Sequence, residues 1–419
     1  MRTIATACFG QVSVAGQSPR NFRKGTPVGV RHLLVMRATR VPLQSISLIL
    51  ATGAVWLFGA GCSGSEPTEG TPVETPAMQD AATGQAEAAV SMTPETPAPR
   101  DTPTAQPEPT PSGRVSLNAV GDLMLGRDII TLMDENGSMY PFVAVHELLA
   151  DADITIANME GTFTDRGVPA DKFYTFRTPP RHAVGLAEAG IDVVSLGNNH
   201  TMDFGTEGLE DTLAALAEAG VLHSGAGRNA ADARLPVTVE RNGLKIAFLS
   251  YNEIVEATFA GPETAGVAMA DQPSIEADVE AALGLAQVVV VSLHAGIEYT
   301  DQPGEQQRRL AMAAIDAGAA LVLGHHAHVF QGWQAYNGGV IAWGLGNFVF
   351  DLDFEDLGTL GPRPFQTAVL RFELTAAGVE SVSARPVYID PAQNRPVPAE
   401  GEQLAEVEAR IRQVNGALQ

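Results

Sequence analysis

From residue 114 onward, apolar residues come in short bursts separated by longer stretches with helical spacing. The bursts are VSLNAV (115–120), DITIAN (153–158), DVVSLG (192–197), KIAFLS (245–250), VVVVSL (288–293) and ALVLG (320–324). Each is too short for a typical helix and is apolar at odd and even positions alike, the mark of a strand covered on both faces. Between them, helical periodicity predicts helices around 141–150, 179–189, 206–219, 273–285 and 304–317. In the third of these, Leu209, Leu213 and Leu216 recur at one-turn spacing and share a face. Asn242-Gly243 and Asn337-Gly338 each separate two β-rich runs, and Asn-Gly accepts the positive φ of a tight hairpin turn. Ala377-Gly378 separates QTAVLRFEL from VESVSARPVYI in the same way, and over 402–418 Leu404, Val407, Ile411, Val414 and Leu418 form one stripe of a terminal helix. Alternating strands and helices followed by hairpins predict an α/β domain of two packed sheets with helices outside.

Upstream the pattern changes twice. Residues 63–113 carry PTEGTPVETP and TPETPAPRDTPTAQPEPTPSG, with few large apolar side chains. Such a stretch cannot bury enough surface to offset ordering entropy, so it reads as a disordered, extended stalk. Before it, LQSISLILATGAVWLFGA (43–60) is almost wholly apolar, follows Arg37 and Arg40, and leads through small residues to Cys62. A charged segment, an apolar segment and a small-residue zone make an export leader. GAGCSGS resembles a bacterial lipoprotein signal with Cys62 as the lipidated first residue, although Gly59 stands where such signals usually carry Leu. An uncleaved anchor and ordinary secretory cleavage are the alternatives, and a start at Met36 would give a leader of normal length. The chain thus divides into a leader (1–62), a linker (63–113), a domain (114–390) and a tail with an amphipathic helix (391–419). The leader predicts attachment at the cell surface, on the extracytoplasmic face of a membrane, through an N-terminal lipid or anchor.

The formal net charge is -23 and the isoelectric point about 4.7, which excludes broad nucleic-acid binding, because an acidic surface repels phosphate. Cys8 and Cys62 are the only cysteines and both precede the domain, which excludes a disulfide or thiolate metal site there. The candidate chemistry therefore falls to carboxylates, amides and imidazoles. It lies at strand ends. Asp122 follows VSLNAV, Glu160 follows DITIAN, and Asn199, His200 and Asp203 follow DVVSLG. His294 follows VVVVSL, and His325, His326 and His328 follow ALVLG. Any one of these alone is a turn residue or a hydrogen-bonded structural histidine. Five in order point to a site at the carboxyl ends of strands, where open α/β sheets build theirs. In an extended segment His326 and His328 point to the same side. Mixed imidazole, carboxylate and amide ligands suit Zn, Mn or Fe, as one ion or two, and not a calcium cage.

The segments GDLMLGR, NMEGTFT, LGNNHTMDFG, SLHAGIEYT, LGHHAHVFQG and GLGNFVFD resemble, in order, the motifs of the CapA family of poly-gamma-glutamate capsule-synthesis proteins, related to calcineurin-like metallophosphoesterases. The resemblance spans about 114–352 and extends to about 390. It implies a four-layer α/β/β/α sandwich of metallophosphoesterase type with a metal site at the strand ends. It also implies surface attachment, an anionic capsule polymer or a phosphoester as substrate, and membrane capsule-synthesis proteins as partners. Under it, Asp122, Glu160, Asn199, His294, His326 and His328 are metal ligands and His200 is the general acid or transition-state stabiliser. Met124 departs from the wider pattern, which places His there; the site is then mononuclear, recruits a substitute such as His325, or binds its second ion weakly. A bound ion would generate hydroxide from water at neutral pH, and His200 would protonate the leaving group. Arg127, Arg177 and Tyr299 are candidate anion or substrate contacts, with a surface ion pair as the plainer alternative for Arg177. Glu298 and Asp203 are candidates for orienting histidine ligands, and Trp333 and Trp343 read as core. Two functions stay open: a surface-tethered metal-dependent hydrolase, or a non-catalytic accessory protein that anchors or helps export capsular polymer.

Overall fold

All six apolar bursts become strands of two sheets. The computed structural model describes residues 113–254 and 259–418; the leader, Cys62 and the linker up to residue 112 lie outside the described residues. In the first sheet the strands run in the order Arg395–Pro398, Gly378–Asp390, Gln366–Thr375, Arg114–Leu123, Ile154–Met159, Val193–Ser195 and Leu222–Ser224, and Asn347–Val349 pairs with the end of Arg114–Leu123. In the second the order is Phe330–Tyr336, Gly339–Leu345, Leu321–His325, Val288–His294, Leu244–Asn252 and Val237–Arg241. The central strands of each sheet are parallel, and all three expected hairpins form as antiparallel pairs. Asn242 (φ 53°) and Asn337 (φ 45°) take positive φ, as do the glycines after them, which a primed hairpin turn requires.

Period-two alternation explains the unbroken apolar runs. Val288 and Val290 point between the sheets, where they meet Leu117, Ile156 and Val193 of the first sheet. Val289 and Val291 point the other way, against Ile275 and Val279 of the helix Gln272–Leu283 and Leu310 of Glu305–Asp316. The outer face of the first sheet, with Leu123, Ala157 and Val194, is covered by Leu149, Leu186, Leu209 and Leu216 from the opposite set of helices. The result is an α/β/β/α sandwich. Each such buried side chain contributes about 1.5–3 kcal/mol, so the layer order is set by many moderate terms rather than by one contact.

Two elements had weak sequence signals. Asp128–Asn136 is helical with only Ile129 and Met133 buried, and Leu222–Ser224 is a short edge strand. The terminal helix Gly401–Gly416 buries Val407 and Val414 as its stripe requires, and also Arg410, which donates twice to Asp301 at 2.8 Å and once to Phe330 O at 3.0 Å. Among the described residues no helix is long and apolar enough to cross a membrane.

Candidate metal centre

Strand register sets the site. In the first sheet Asp122 lies level with Asn158 on one side and Asn347 on the other. In the second, His294 lies level with Asn252 and His325. The two rows face each other at the carboxyl ends of the strands. Asp122, Glu160 and His294 are fully buried and each offers one ligand atom within 4.8 Å of the others. His294 Nε2 is 2.8 Å from Asn199 Oδ1. His328 Nδ1 is 3.3 Å from Asp122 Oδ2, and Glu160 Oε1 lies 3.8 Å from both His328 Nε2 and His200 Nε2. The His326 ring is 4.9 Å from that of His294 and 5.9 Å from that of His328. All seven residues singled out as ligands or acid are thus brought together from positions more than two hundred residues apart.

The donor set fits a borderline divalent cation. Glu160 Oε1, His325 Nε2 and His326 Nδ1 are buried and lack hydrogen-bond partners. Each such orphan costs about 1–3 kcal/mol unless something satisfies it, and a cation ligated by imidazole and carboxylate would do so. Protonation follows the same crowding. Burial, then the Asp122 charge, pushes the Glu160 carboxyl well above the usual carboxylate range. Burial alone would raise Asp122 too, but its bonds to His325 and His328 and their charges hold it well below. Burial would lower His328, yet Glu160 and Asp122 outweigh it and lift His328 to about 9. Burial and the neighbouring His328 take His326 down to about 3, and burial takes His294 well below the ordinary histidine range.

Around the ligands sits a polar shell that sequence reasoning largely missed. Asn158 Nδ2 donates to Asp122 Oδ1 at 2.9 Å and approaches His294 Nδ1 at 3.4 Å. Asn198 donates to Asn158 Oδ1 (3.1 Å) and Met159 O (2.8 Å) while its own Oδ1 accepts from the His200 backbone at 3.0 Å. Asn347 Oδ1 is 2.9 Å from His328 Nδ1. The available signal was position: Asn158 stands two residues before Glu160 at a strand end, and Asn347 lies in the GLGNF segment. Lys172 had no such signal. It pairs with Asp203 and donates to Asn199 O at 2.7 Å. Asp203 Oδ2 in turn lies 2.8 Å from His200 Nδ1, and the His200 ring stacks on Phe176 at 4.1 Å.

The remaining candidates separate clearly. Met124 is fully buried, its Sδ accepts from Gly126 N at 3.2 Å, and it packs with Phe176 and Phe350, so it belongs to an apolar wall. His325 Nδ1 lies 3.1 Å from Asp122 Oδ1 and so supports that carboxylate. Arg177 makes neither a substrate-ready fork nor the ion pair: it donates to Arg166 O (2.8 Å) and Gly167 O (3.2 Å) and stacks 3.7 Å above the Phe204 ring. Arg127 is exposed, sits 5.0 Å above Phe176 and 5.2 Å above Tyr174, and bonds no carboxylate among the described residues. The Tyr299 ring is 5.9 Å from His328, and burial pushes its hydroxyl up to about 12. Trp343 is buried in the core, and Trp333 packs at the inter-sheet edge. Arg177→Ala is therefore expected to lower stability by about 2 kcal/mol, and Arg127→Ala by less than about 1 kcal/mol, because only the first loses a desolvated stack and two hydrogen bonds. Urea titrations of the two variants check this; equal losses would contradict the assignment.

Comparison with known proteins agrees with the family resemblance. A family described as "Bacterial capsule synthesis protein PGA_cap" matches residues 116–352. The PGA biosynthesis protein CapA of Bacillus subtilis is 32% identical over 287 residues, covering 68% of this chain and 74% of its own. The capsule biosynthesis protein CapA of Bacillus anthracis is 31% identical over 293 residues, covering 68% and 70%. A solved phosphatase from Mycoplasma pneumoniae overlaps 67% of this chain and 96% of its own at 16% identity and a TM-score of 0.44, too distant to carry a conclusion.

Proposed function

Because the chain belongs to the bacterial capsule synthesis family PGA_cap, we propose that it is a surface-tethered, metal-dependent hydrolase-type protein acting on an anionic capsular polymer such as poly-gamma-glutamate, or on a phosphoester. One observation carries this reading: Asp122, Glu160 and His294, fully buried, present ligand atoms within 4.8 Å of one another. Buried carboxylates persist in a fold when they are paired or coordinate a cation. Asp122, Glu160, Asn199, His294, His326 and His328 would hold the ion or ions. A bound divalent cation supplies a nucleophile from water at neutral pH and polarises the scissile group.

The chain's own residues do the rest. Asp203 accepts from His200 Nδ1, so His200 Nε2 carries the lone pair. Burial holds His200 below its ordinary value, and at working pH it is a proton acceptor first. It can take a proton from the attacking water and return it to the leaving group. Lys172 pairs with Asp203 and holds it in place. Arg127 is an exposed cation beside Phe176 that can meet a carboxylate or phosphate, which matters in a chain of net charge -23. Tethering falls to the N-terminal segment, with Cys62 as the lipidated residue, and the partners are membrane capsule-synthesis proteins.

The test uses full-length protein supplied with Mn, Zn or Fe and assayed on poly-gamma-glutamate and on phosphodiesters. Metal-dependent turnover is expected, falling about 100-fold or more in His200→Ala. Bound metal with no turnover on either substrate class would sink the hydrolase reading and leave the non-catalytic accessory role. Membrane fractionation of wild type beside Cys62→Ala reads out the tether; a variant that stays in the membrane would remove the lipid from the proposal.

A further inference from the structure

We propose that Asp301 is a positioning residue for the site: gripped by Arg363 and Arg410, it fixes the Tyr299 ring beside His328, so that the terminal helix Gly401–Gly416 acts on the site through it. This rests on the reading of Tyr299 as a substrate contact. The loop between the strand Val288–His294 and the helix Glu305–Asp316 forms one edge of the site. Its Glu298 carboxylate lies within 4.8 Å of ring nitrogens of His326 and His328, and the Tyr299 ring lies 5.9 Å from that of His328. The Tyr299 hydroxyl bonds to nothing among the described residues, which leaves a phenol donor free for a ligand. A loop has no ladder of its own to hold such a group. Tyr299 also sits at φ 58°, a conformation that a bulky side chain keeps only where its surroundings impose it.

Bonds from both sides impose it. Tyr299 N donates to Ala327 O at 2.8 Å, and Tyr299 O accepts from Arg363 Nη1 at 3.2 Å. Thr300 O accepts from Gln331 Nε2 at 2.8 Å. Asp301 Oδ1 then accepts from Arg363 Nη1 at 2.7 Å and from Arg410 Nη2 at 2.8 Å, while Oδ2 accepts from Arg410 Nη1 at 2.8 Å. Arg410 therefore forks onto both carboxylate oxygens, a geometry that fixes direction as well as distance. Its side chain is only 5% exposed, and Nη2 donates again to Phe330 O at 3.0 Å, just beyond His328. A pair with one buried member is screened little and keeps its geometry where a surface pair would not. One carboxylate thus joins the site loop, the turn Arg363–Phe365 and the terminal helix.

The experiment is fluorine NMR of full-length protein carrying 3-fluorotyrosine at its six tyrosines, with the Tyr299 line identified by its loss in Tyr299→Phe. The variants are Asp301→Asn and Arg363→Ala, both at part-exposed side chains, so that the buried Arg410 stays in place and the chain folds. Each is expected to shift or broaden the Tyr299 line. The line of Tyr251, a buried ring bonded to Asp278 at 2.9 Å, is expected to stay as the control. A role in global stability alone would move neither line, because the folded population would keep its geometry. On poly-gamma-glutamate, or on the phosphodiester if that is what wild type turns over, Asp301→Asn is expected to lose about 10-fold in kcat/KM. The double variant Tyr299→Phe/Asp301→Asn is expected to lose no more than Tyr299→Phe, since a residue acting through another adds nothing once that other is gone. An unmoved Tyr299 line would overturn the positioning role, and losses that multiply in the double variant would overturn its action through Tyr299. Wild type with no turnover would count against the hydrolase reading alone, and the fluorine line would still decide whether Asp301 positions Tyr299.

Discussion

Stripping divalent cations from the protein is expected to lower its melting temperature by about 10 °C, and the loss is expected to grow as pH rises above about 7. A ligand present at about a thousand times its dissociation constant stabilises the fold it binds by about 4 kcal/mol, and each kcal/mol moves the midpoint of a domain of this size by about 2–4 °C. The pH dependence comes from the ligands themselves. In the metal-stripped fold His328 is raised to about 9, above its unfolded value. Its stabilisation is fully present below about pH 6.5 and is lost as pH rises through about 9. Glu160, raised by burial, acts in the same direction. His294 and His326 act oppositely: burial keeps them neutral in the fold, so stability falls as pH drops below about 6.5 and the unfolded chain takes up protons. The stripped protein should therefore be most stable near pH 6.5, whereas the loaded protein should hold its midpoint on the alkaline side. Calorimetry with and without chelator at about pH 6.5, 7.5 and 9 measures this, and a midpoint indifferent to chelator at every pH would remove the cation from the account.

Gly121→Ala is expected to cost more than about 4 kcal/mol, enough to leave little folded protein. A Cβ at Gly121 would lie 1.9 Å from Gly346 O, a backbone atom with no flexible end to swing aside. Gly346 O also accepts from Asp122 N at 2.9 Å, so pushing it away breaks the bond that seats the Asp122 backbone. It further shifts Asn347, which orients His328. Gly324 is in the same position in the second sheet, with Trp343 O 1.8 Å from its would-be Cβ. Gly358 serves as the control: it lies exposed in the helix Phe354–Leu360 with nothing within 4 Å, and replacement by Ala there should be neutral or slightly stabilising. Denaturant midpoints for the variants decide the matter, and a Gly121→Ala protein unfolding like wild type would show that the two backbones do not approach as described.

Local pattern along the chain carried a good deal of this molecule. A strand covered on both faces must be apolar at every position, so VVVVSL and its relatives announced the two sheets and their buried order. Asn-Gly turns announced the hairpins because few residues accept two consecutive positive φ values. The acid, amide and imidazole groups at five strand ends announced the site, because polar groups have few other reasons to stand there. Other features depended on contacts between segments far apart. Asn158 and Asn198 look like ordinary strand-end residues until Asp122 and His200 arrive beside them. Arg127 and Arg177 are alike on paper, and the ring of Phe204 is what commits one and leaves the other exposed. Glu298 faces His326 and His328 because Tyr299 N finds Ala327 O across the loop. Periodicity reports which face of an element is buried; convergence of distant strand ends reports which side chains meet there, and no local preference encodes that.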